Sequence, residues 1–356
     1  MMANKKKVTI KDISEEVGVS CALINRALNN KEGVSKETRQ RILDAADRLG
    51  YRVNRVAQSM ARKCINIGVL IPDSWLDYYS LIKEGIDEEF EILRDYNVEC
   101  QYYTVNNIHS SRGTIRALKK CIEDEVQGVI ICDAFPFGLD KIFEELKEHN
   151  IAVVLNCGLH SLDDKVLCSV QIDAYRSGKM AAEMLGFLTK ENSDVVIFVG
   201  NKDNDEHQLK IKGFIDEAKL KNLNIIGIYE THDDADIAYR LAGKVIGECD
   251  GVDGIYSATA NTASICDAVT EKNCKAKIVG TDLCEQTADY IKQGVMQCSI
   301  YQDLRMQGRK AMRILYEYLA EHESADKIVR IAPHLVISSN VDSYYKVKRK
   351  EDDNGL

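Results

Sequence analysis

The chain has 356 residues, of which 45% are hydrophobic and 29% are charged, and its formal net charge is −9. This length predicts two or three domains, and a hydrophobic fraction at the globular average excludes disorder as the dominant state. Apolar runs such as Val195–Val199 are far shorter than the ~20 residues that cross a bilayer. Because no apolar segment follows the basic residues near the start, we also expect no secretory signal and a cytoplasmic protein.

The charge is unevenly distributed along the chain. Residues 1–63 contain 14 lysines and arginines and 7 acidic residues, a net charge of +7, whereas the remaining residues carry −16. A basic head on an acidic body is the charge distribution that a nucleic-acid contact requires. A solubilising terminus would explain the same charge.

Three short helices are predicted in the basic head, because capping residues precede each apolar pattern and glycines follow two of them. Their expected limits are 9–18, 20–30 and 35–50. The apolar residues at helical spacing, which we expect to form a small core, are Ile10, Ile13, Val17, Ile24, Ala27, Leu28, Ile42, Leu43, Ala46 and Leu49. Since a short turn joins the first two helices, this order predicts a helix-turn-helix.

The second helix has a face that its apolar residues leave free. Cys21, Ala22, Asn25 and Arg26 lie on this face, which a helix-turn-helix would place in the major groove of DNA. The Arg26 guanidinium suits the O6 and N7 acceptors of guanine, and Asn25 can bond a base or a phosphate. A small three-helix bundle with a solvated arginine remains the alternative.

Residues 54–61 have helical propensity but are too few to form a stable helix alone. If this segment paired with its copy in a dimer, it could enter the minor groove, where Met60 could open a base step. An ordinary interdomain linker is the alternative.

From residue 66 onward, short apolar runs alternate with amphipathic segments, which predicts parallel α/β sheets covered on both faces. The length of this part favours two lobes over one sheet. The predicted strands are Asn66–Ile71, Val98–Tyr103, Gly128–Cys132, Ala152–Leu155, Cys168–Ile172, Val195–Val199, Ile225–Tyr229, Gly254–Tyr256, Lys277–Val279 and Met296–Ile300. Predicted helices between them include Ser80–Leu93, Ser177–Leu188, Glu206–Lys221, Ile237–Glu248 and Met306–Leu319.

Polar side chains and the only tryptophan recur directly after the predicted strands. They are Asp73, Trp75, Asp133, Asn156, Asp173, Asn201, Asn261, Asp282 and Gln302. Ligands of open parallel sheets bind beyond the carboxyl ends of the strands, and acid, amide and aromatic groups suit a polyhydroxy ligand. Taken singly, each polar residue is also explained as a helix cap or turn former, and Trp75 as a core residue.

The basic head resembles the headpiece of the LacI/GalR family of bacterial repressors. The matching residues are Val8–Ser20, Asn25–Asn29, Gly33–Ser35, Thr38, Arg39 and Leu49–Asn54. The resemblance implies that Cys21, Ala22 and Arg26 read bases, that Ser20, Asn25 and Asn29 face phosphates, and that 54–61 form a hinge helix. In that hinge helix, Asn54, Gln58 and Met60 are the candidate DNA contacts. Leu23, Asn25 and Val53 stand where the family usually has threonine, serine and proline.

The acidic body is similar to the two-lobed, type I periplasmic-binding-protein fold that follows this headpiece in the same family. The matching residues are Ile67–Pro72, Lys210–Phe214, Asn261, Val279–Asp282, Ile300–Asp303 and Gly308. The resemblance implies that the effector contacts are Asn156, Asp173, Lys210, Asn261, Asp282 and Gln302, with Trp75 stacking on a sugar ring. Asp73, after the first strand, is a further candidate. Lys210 and Thr262 stand where the family has arginine and aspartate, so a cyclic polyol or another small polar molecule fits as well as a sugar.

Together these features predict a headpiece over 1–53, a hinge over 54–63, an effector-binding and dimerisation domain over 64–345 and a charged tail over 346–356. The resemblance implies that the lobes exchange strands, with lobe 1 at about 65–168 and 299–324 and lobe 2 at about 169–296 and 327–342. Without terminal leucine heptads, a homodimer is expected.

We therefore expect a ligand-responsive repressor of a carbohydrate or polyol operon that binds a palindromic operator, with no cofactor, metal, membrane or catalytic role. An enzyme is the first alternative, but the sequence has no dinucleotide, P-loop, serine-hydrolase or zinc motif. A transport-type sugar-binding protein is the second, and it leaves residues 8–61 without a purpose.

Overall fold

The computed structural model describes residues 8–28, 32–51, 63–73, 76–106, 110–133, 137–156, 165–248 and 251–345. The chain divides into two compact units with a boundary after Lys63. In the described part, no helix is long and apolar enough to cross a membrane.

The first unit contains three helices, α1 (Ile10–Val17), α2 (Cys21–Leu28) and α3 (Lys36–Leu49). The predicted capping box opens α1, because the Thr9 N–H and hydroxyl both donate to the Asp12 carboxylate, at 2.6 and 2.7 Å. Gly18 then ends the helix at φ 72° and Gly50 ends α3 at φ 69°, a left-handed conformation that glycine adopts without strain.

The core of this unit consists of Ile13, Ile24, Ala27, Ile42, Ala45 and Ala46. Leu43, which we expected to point inward, is 40% exposed, and Ala45 takes its place. The helical period allows either residue to border the apolar stripe. The small alanine lets α3 approach the other two helices closely.

The second unit contains strands and helices in alternation. The strands are β1 (Ile65–Pro72), β2 (Val98–Val105), β3 (Gly128–Ile131), β4 (Ala152–Leu155), β5 (Cys168–Ile172), β6 (Asp194–Val199), β7 (Asn224–Glu230), β8 (Gly254–Ala258), β9 (Lys277–Thr281), β10 (Cys298–Tyr301), β11 (Ile328–Ile331) and β12 (His334–Val336). The helices are α4 (Leu76–Leu93), α5 (Ser111–Glu123), α6 (Asp140–Glu148), α7 (Ala174–Leu188), α8 (Asp205–Leu220), α9 (Ala235–Glu248), α10 (Thr262–Glu271), α11 (Glu285–Gln293), α12 (Leu304–Tyr316) and α13 (Val341–Tyr344).

These strands form two sheets of the same strand order. The first sheet runs β11-β5-β4-β3-β1-β2 and is parallel throughout, and the second runs β12-β10-β9-β8-β6-β7 with only β12 antiparallel. In each sheet the strand order reverses beside the first strand, at β1/β3 and at β6/β8. Ligands of such sheets bind beyond the carboxyl ends at this reversal.

The chain passes between the lobes after Ile172, after Tyr301 and after Ile331. These crossings lie later than the predicted lobe limits, since β5 and β11 pair in the first sheet and β10 in the second. Apolar runs predict that a strand exists, but the sheet it joins depends on pairing with strands distant in sequence.

Candidate DNA-binding face and interlobe cavity

The predicted reading face of α2 is exposed as a unit. Cys21, Ala22, Asn25 and Arg26 are all solvent-exposed, whereas Ile24 and the alanine at 27 are buried on the opposite side of the helix. We refer to these four exposed residues as the α2 face. The amphipathic pattern of α2 alone produces this division.

Contacts with the other helices fix the orientation of α2. Its first turn is capped by Ser20, whose hydroxyl accepts from the Leu23 N–H at 3.3 Å. At the other end, the Arg39 guanidinium donates to the Ala27 carbonyl at 2.9 Å, where a cation also interacts favourably with the helix dipole. The α2 face is therefore presented on a rigid support.

Four of the candidate DNA contacts, Asn29, Asn54, Gln58 and Met60, lie outside the described residues, as does Trp75 in the second unit.

A cavity of about 700 Å³ lies between the two lobes, and we call it the interlobe cavity. The first lobe contributes Asp73, Tyr78 and Leu81, and the second contributes residues of α10, α11 and the loops that precede them. Tyr301 and Leu304 line it at one crossing between the lobes. Of the predicted effector residues, Asp73, Asn261 and Asp282 therefore line one cavity.

Asp282 is the carboxylate with the most constrained position in this cavity. It follows β9 with φ 64°, a conformation that is costly for a residue other than glycine and that recurs at functional sites. Gln302 donates to its Oδ1 at 2.7 Å, and Ser299 donates to its backbone carbonyl at 2.6 Å. Burial raises the pKa of Asp282 to about 6, although nearby Lys210 and the Gln302 hydrogen bond both favour the ionised form.

Lys210 is close to Asp282 but does not line the interlobe cavity. Its side chain is 3% exposed, and its Nζ pairs with Glu206 Oε1 at 2.8 Å. Burial would lower the pKa of Lys210, but Glu206, with Asp282 and Tyr256, outweighs it and raises the pKa overall. The lysine is therefore charged, and a protein carboxylate already binds that charge.

Two of the predicted effector contacts are amides with polar atoms that lack a hydrogen-bond partner among the described residues. Asn261 precedes α10 and its Nδ2 is buried without a partner, while both side-chain atoms of Asn156 are unpartnered although the residue is only 3% exposed. Buried polar groups are normally hydrogen-bonded. Asn261 lines the interlobe cavity, whereas Asn156 follows β4 and is not part of its lining.

Asp173 has a local structural role. Its Oδ1 accepts from the Arg176 N–H at 3.1 Å, which caps α7, and its Oδ2 lies 3.4 Å from the Arg176 guanidinium. It does not line the interlobe cavity. Gln302 does not line the cavity either, but it donates a hydrogen bond to Asp282, which does.

The cavity also contains residues that the sequence pattern did not single out. The interlobe cavity is lined by Tyr78, Tyr301 and Cys284. Glu206 does not line it but pairs with Lys210 near Asp282. The acidic residue could have been found from its spacing, because a glutamate four residues before a lysine on a helix forms an ion pair. Tyr301 directly follows the predicted strand Met296–Ile300 and Tyr78 follows none, and a tyrosine at either position could equally be a core residue.

Residues 67–323 match the periplasmic binding protein domain family, and residues 9–54 match the lacI family of bacterial regulatory proteins. The chain therefore belongs to the periplasmic binding protein domain family, and it carries a lacI-type segment at its N-terminal end. It is 25% identical to catabolite control protein A of Priestia megaterium over 92% of this chain and 97% of that protein. It is 27% identical to the HTH-type transcriptional regulator pepR1 of Lactobacillus delbrueckii subsp. lactis, over 94% and 97% of the two chains.

Solved structures confirm the two-lobed fold. The chain is similar to a sugar-binding protein of a sugar ABC transporter from Bacillus halodurans, with a TM-score of 0.70 at 21% identity, over 79% of this chain and all of that one. It is similar to a periplasmic ribose ABC transporter protein from Conexibacter woesei, with a TM-score of 0.72 at 16% identity, over 80% and 95%. Together with the lacI-type match and the two related regulators, this fold makes the protein a ligand-responsive transcriptional regulator in which a DNA-binding headpiece precedes a periplasmic-binding-protein-like unit.

Proposed function

We propose that this regulator is a repressor of a carbohydrate or polyol operon that acts without catalysis in the cytoplasm. The observation that supports it best is the pairing of an exposed α2 face in a lacI-type headpiece with a cavity built from both lobes. A ligand that contacts both lobes prefers one angle between them, and it alters DNA affinity to the extent of that preference.

The DNA target we propose is an inverted repeat bound by a homodimer. A twofold dimer presents two α2 faces, which would dock in successive major-groove half-sites about 34 Å apart if one helical turn separates them. The Arg26 side chain supplies the bidentate donor for guanine, while Cys21 and Ala22 offer little hydrogen bonding, so base recognition depends mainly on Arg26.

The test selects the preferred DNA of the full-length protein from a random pool and measures binding with Arg26→Ala. We expect the substitution to weaken specific binding by about 1–3 kcal/mol and to relax the preference at one position of each half-site. The matched control is Arg48→Ala, which removes the same charge from an exposed pair with Glu16 at 2.7 Å. Equal losses in both variants, or selection of no inverted repeat, would contradict the proposal.

The effector site we propose comprises Asp73, Asn261 and Asp282, with Lys210 and Gln302 orienting Asp282 from behind. Asn156, Asp173 and Trp75 stay proposed contacts on the family resemblance alone. A ligand of the native state raises its melting temperature. A thermal-shift screen of sugars and polyols, repeated with Asn261→Ala, therefore identifies the effector class and tests the cavity together.

A further inference from the structure

The charges that line the interlobe cavity are of one sign. Its charged lining residues are Asp73 and Asp282, and no lysine, arginine or histidine lines it among the residues that the structure describes. Among these described lining residues, an anionic ligand therefore finds no lysine or arginine.

The nearest cation does not change this balance. Lys210 is buried, and its Nζ is bonded to Glu206 at 2.8 Å. To bind a ligand anion directly, the buried Lys210 would have to leave this carboxylate, and breaking an ion pair of a buried lysine is costly. The internal pair therefore removes the positive charge that a phosphate or carboxylate group would need.

A further carboxylate, Asp233, adds negative charge near Asp282. Asp233 lies close enough to raise the pKa of Asp282. The Thr259 hydroxyl donates to Oδ1 of Asp233 at 3.1 Å. His207 adds no positive charge at neutral pH, because burial and the nearby Lys210 lower its pKa. The region around Asp282 thus has three carboxylates, counting Glu206, against one ammonium group.

We propose that the interlobe cavity selects polyhydroxy compounds without negative charge, favours those with an ammonium group and rejects their phosphate esters. The inference rests on the proposed function and specifies its ligand. Ionised Asp73 and Asp282 accept hydrogen bonds from hydroxyl and ammonium groups, and bonds from a charged donor are the stronger. A phosphate ester places a like charge against both carboxylates, and this repulsion weakens its binding relative to the parent compound.

The test uses matched triads built on glucose, ribose and myo-inositol, each as the parent compound, an amino derivative and a phosphate ester. Calorimetry with the full-length protein at neutral pH measures the affinity of each compound. Within any triad that binds, we expect the amino derivative to bind at least as tightly as the parent, and the phosphate ester at least about tenfold more weakly. A phosphate ester that binds more tightly than its parent overturns the inference, and so does a lack of binding by every compound.

The substitution Asp282→Asn should reduce the ratio of the parent's affinity to that of its phosphate ester, even where it weakens the binding of both compounds. The control is Glu191→Gln, which removes one negative charge from an exposed position of the same lobe and should leave both affinities unchanged. If Asp282→Asn does not fold, Asp73→Asn, at an exposed residue of the cavity wall, serves the same purpose. An unchanged ratio in the folded variant overturns the inference.

Operator binding separates this inference from the proposed function. If no compound that binds the cavity alters the affinity for the selected DNA, the proposed function fails while the charge preference stands. If a phosphate ester is the compound that alters operator affinity most, the proposed function stands and the inference fails.

Discussion

At the scale of single residues, Asp282 combines strain, burial and ionisation in one position. Its left-handed φ and its hydrogen bond from Gln302 fix the carboxylate, while burial raises its pKa to about 6. An unfolded aspartate ionises near pH 3.9. The native protein therefore holds this proton more tightly than the unfolded chain between these two pH values.

This difference predicts a pH dependence of stability. As the pH rises from about 4 to 6, ionisation favours the unfolded chain, so the contribution of Asp282 to the free energy of unfolding falls, by up to about 3 kcal/mol. The charges that set this pKa are Lys210, Glu206 and Asp233. Urea titrations measure the free energy of unfolding of the parent protein minus that of Asp282→Asn. This difference should fall as the pH rises across this range and be constant above it. If this difference rises with pH instead, the pKa of Asp282 is not raised in the native protein.

At the scale of elements, helices pack with unusually close backbones in both lobes. In the second lobe, a Cβ on Gly178 of α7 would overlap the Lys210 carbonyl, and one on Gly213 of α8 would overlap the Tyr175 carbonyl. In the first lobe, Gly308 of α12 makes the same approach to α4 at the carbonyl of residue 82. These glycines permit the distance between the helix pairs, and in the second lobe that distance positions Lys210.

Because backbone atoms cannot move aside as flexible side chains do, Gly213→Ala should be destabilising. We expect a loss of about 1–3 kcal/mol in the free energy of unfolding, as for other overpacked sites. The control is Gly243→Ala on α9, where an added Cβ meets no atom within 4 Å. It should stabilise the protein by about 0.4–1 kcal/mol, because alanine favours the helix. Thermal or urea unfolding measures both, and equal effects would show that the close approach is not maintained in solution.

At the scale of the whole molecule, the positive charge of the basic head lies outside its helices. The sequence places lysines at 5–7 and 31 and basic residues at 52, 55, 62 and 63, with no acidic residue among these segments. The helical segments 8–28 and 32–51 contain 6 basic and 7 acidic residues. If the α2 face contacts bases as proposed, we expect these basic segments to supply most of the charge that attracts phosphates.

Replacing Lys5, Lys6 and Lys7 together by alanine should weaken binding to all DNA sequences equally. For every phosphate that the variant no longer neutralises, the slope of log affinity against log salt should become shallower by about 1. The control replaces Lys119, Lys141 and Lys147, three exposed lysines of the acidic body, and should leave the slope unchanged. Fluorescence anisotropy at several salt concentrations makes the comparison, and a change in sequence preference without a change in slope would contradict this division.

The sequence by itself determined the local structure and the family of this protein. Caps, glycine stops and apolar periodicity predicted the three headpiece helices and the ten strands β1–β10, because these features depend on neighbours in the chain. Residue 43 shows the limit of that reasoning, since the period alone did not separate it from Ala45. Only the tertiary structure decided which sheet each strand joins, that residues of both lobes line one cavity, and that the Glu206–Lys210 pair lies near Asp282. Those outcomes depend on groups brought together from distant parts of the chain, whose distances and burial no local pattern encodes.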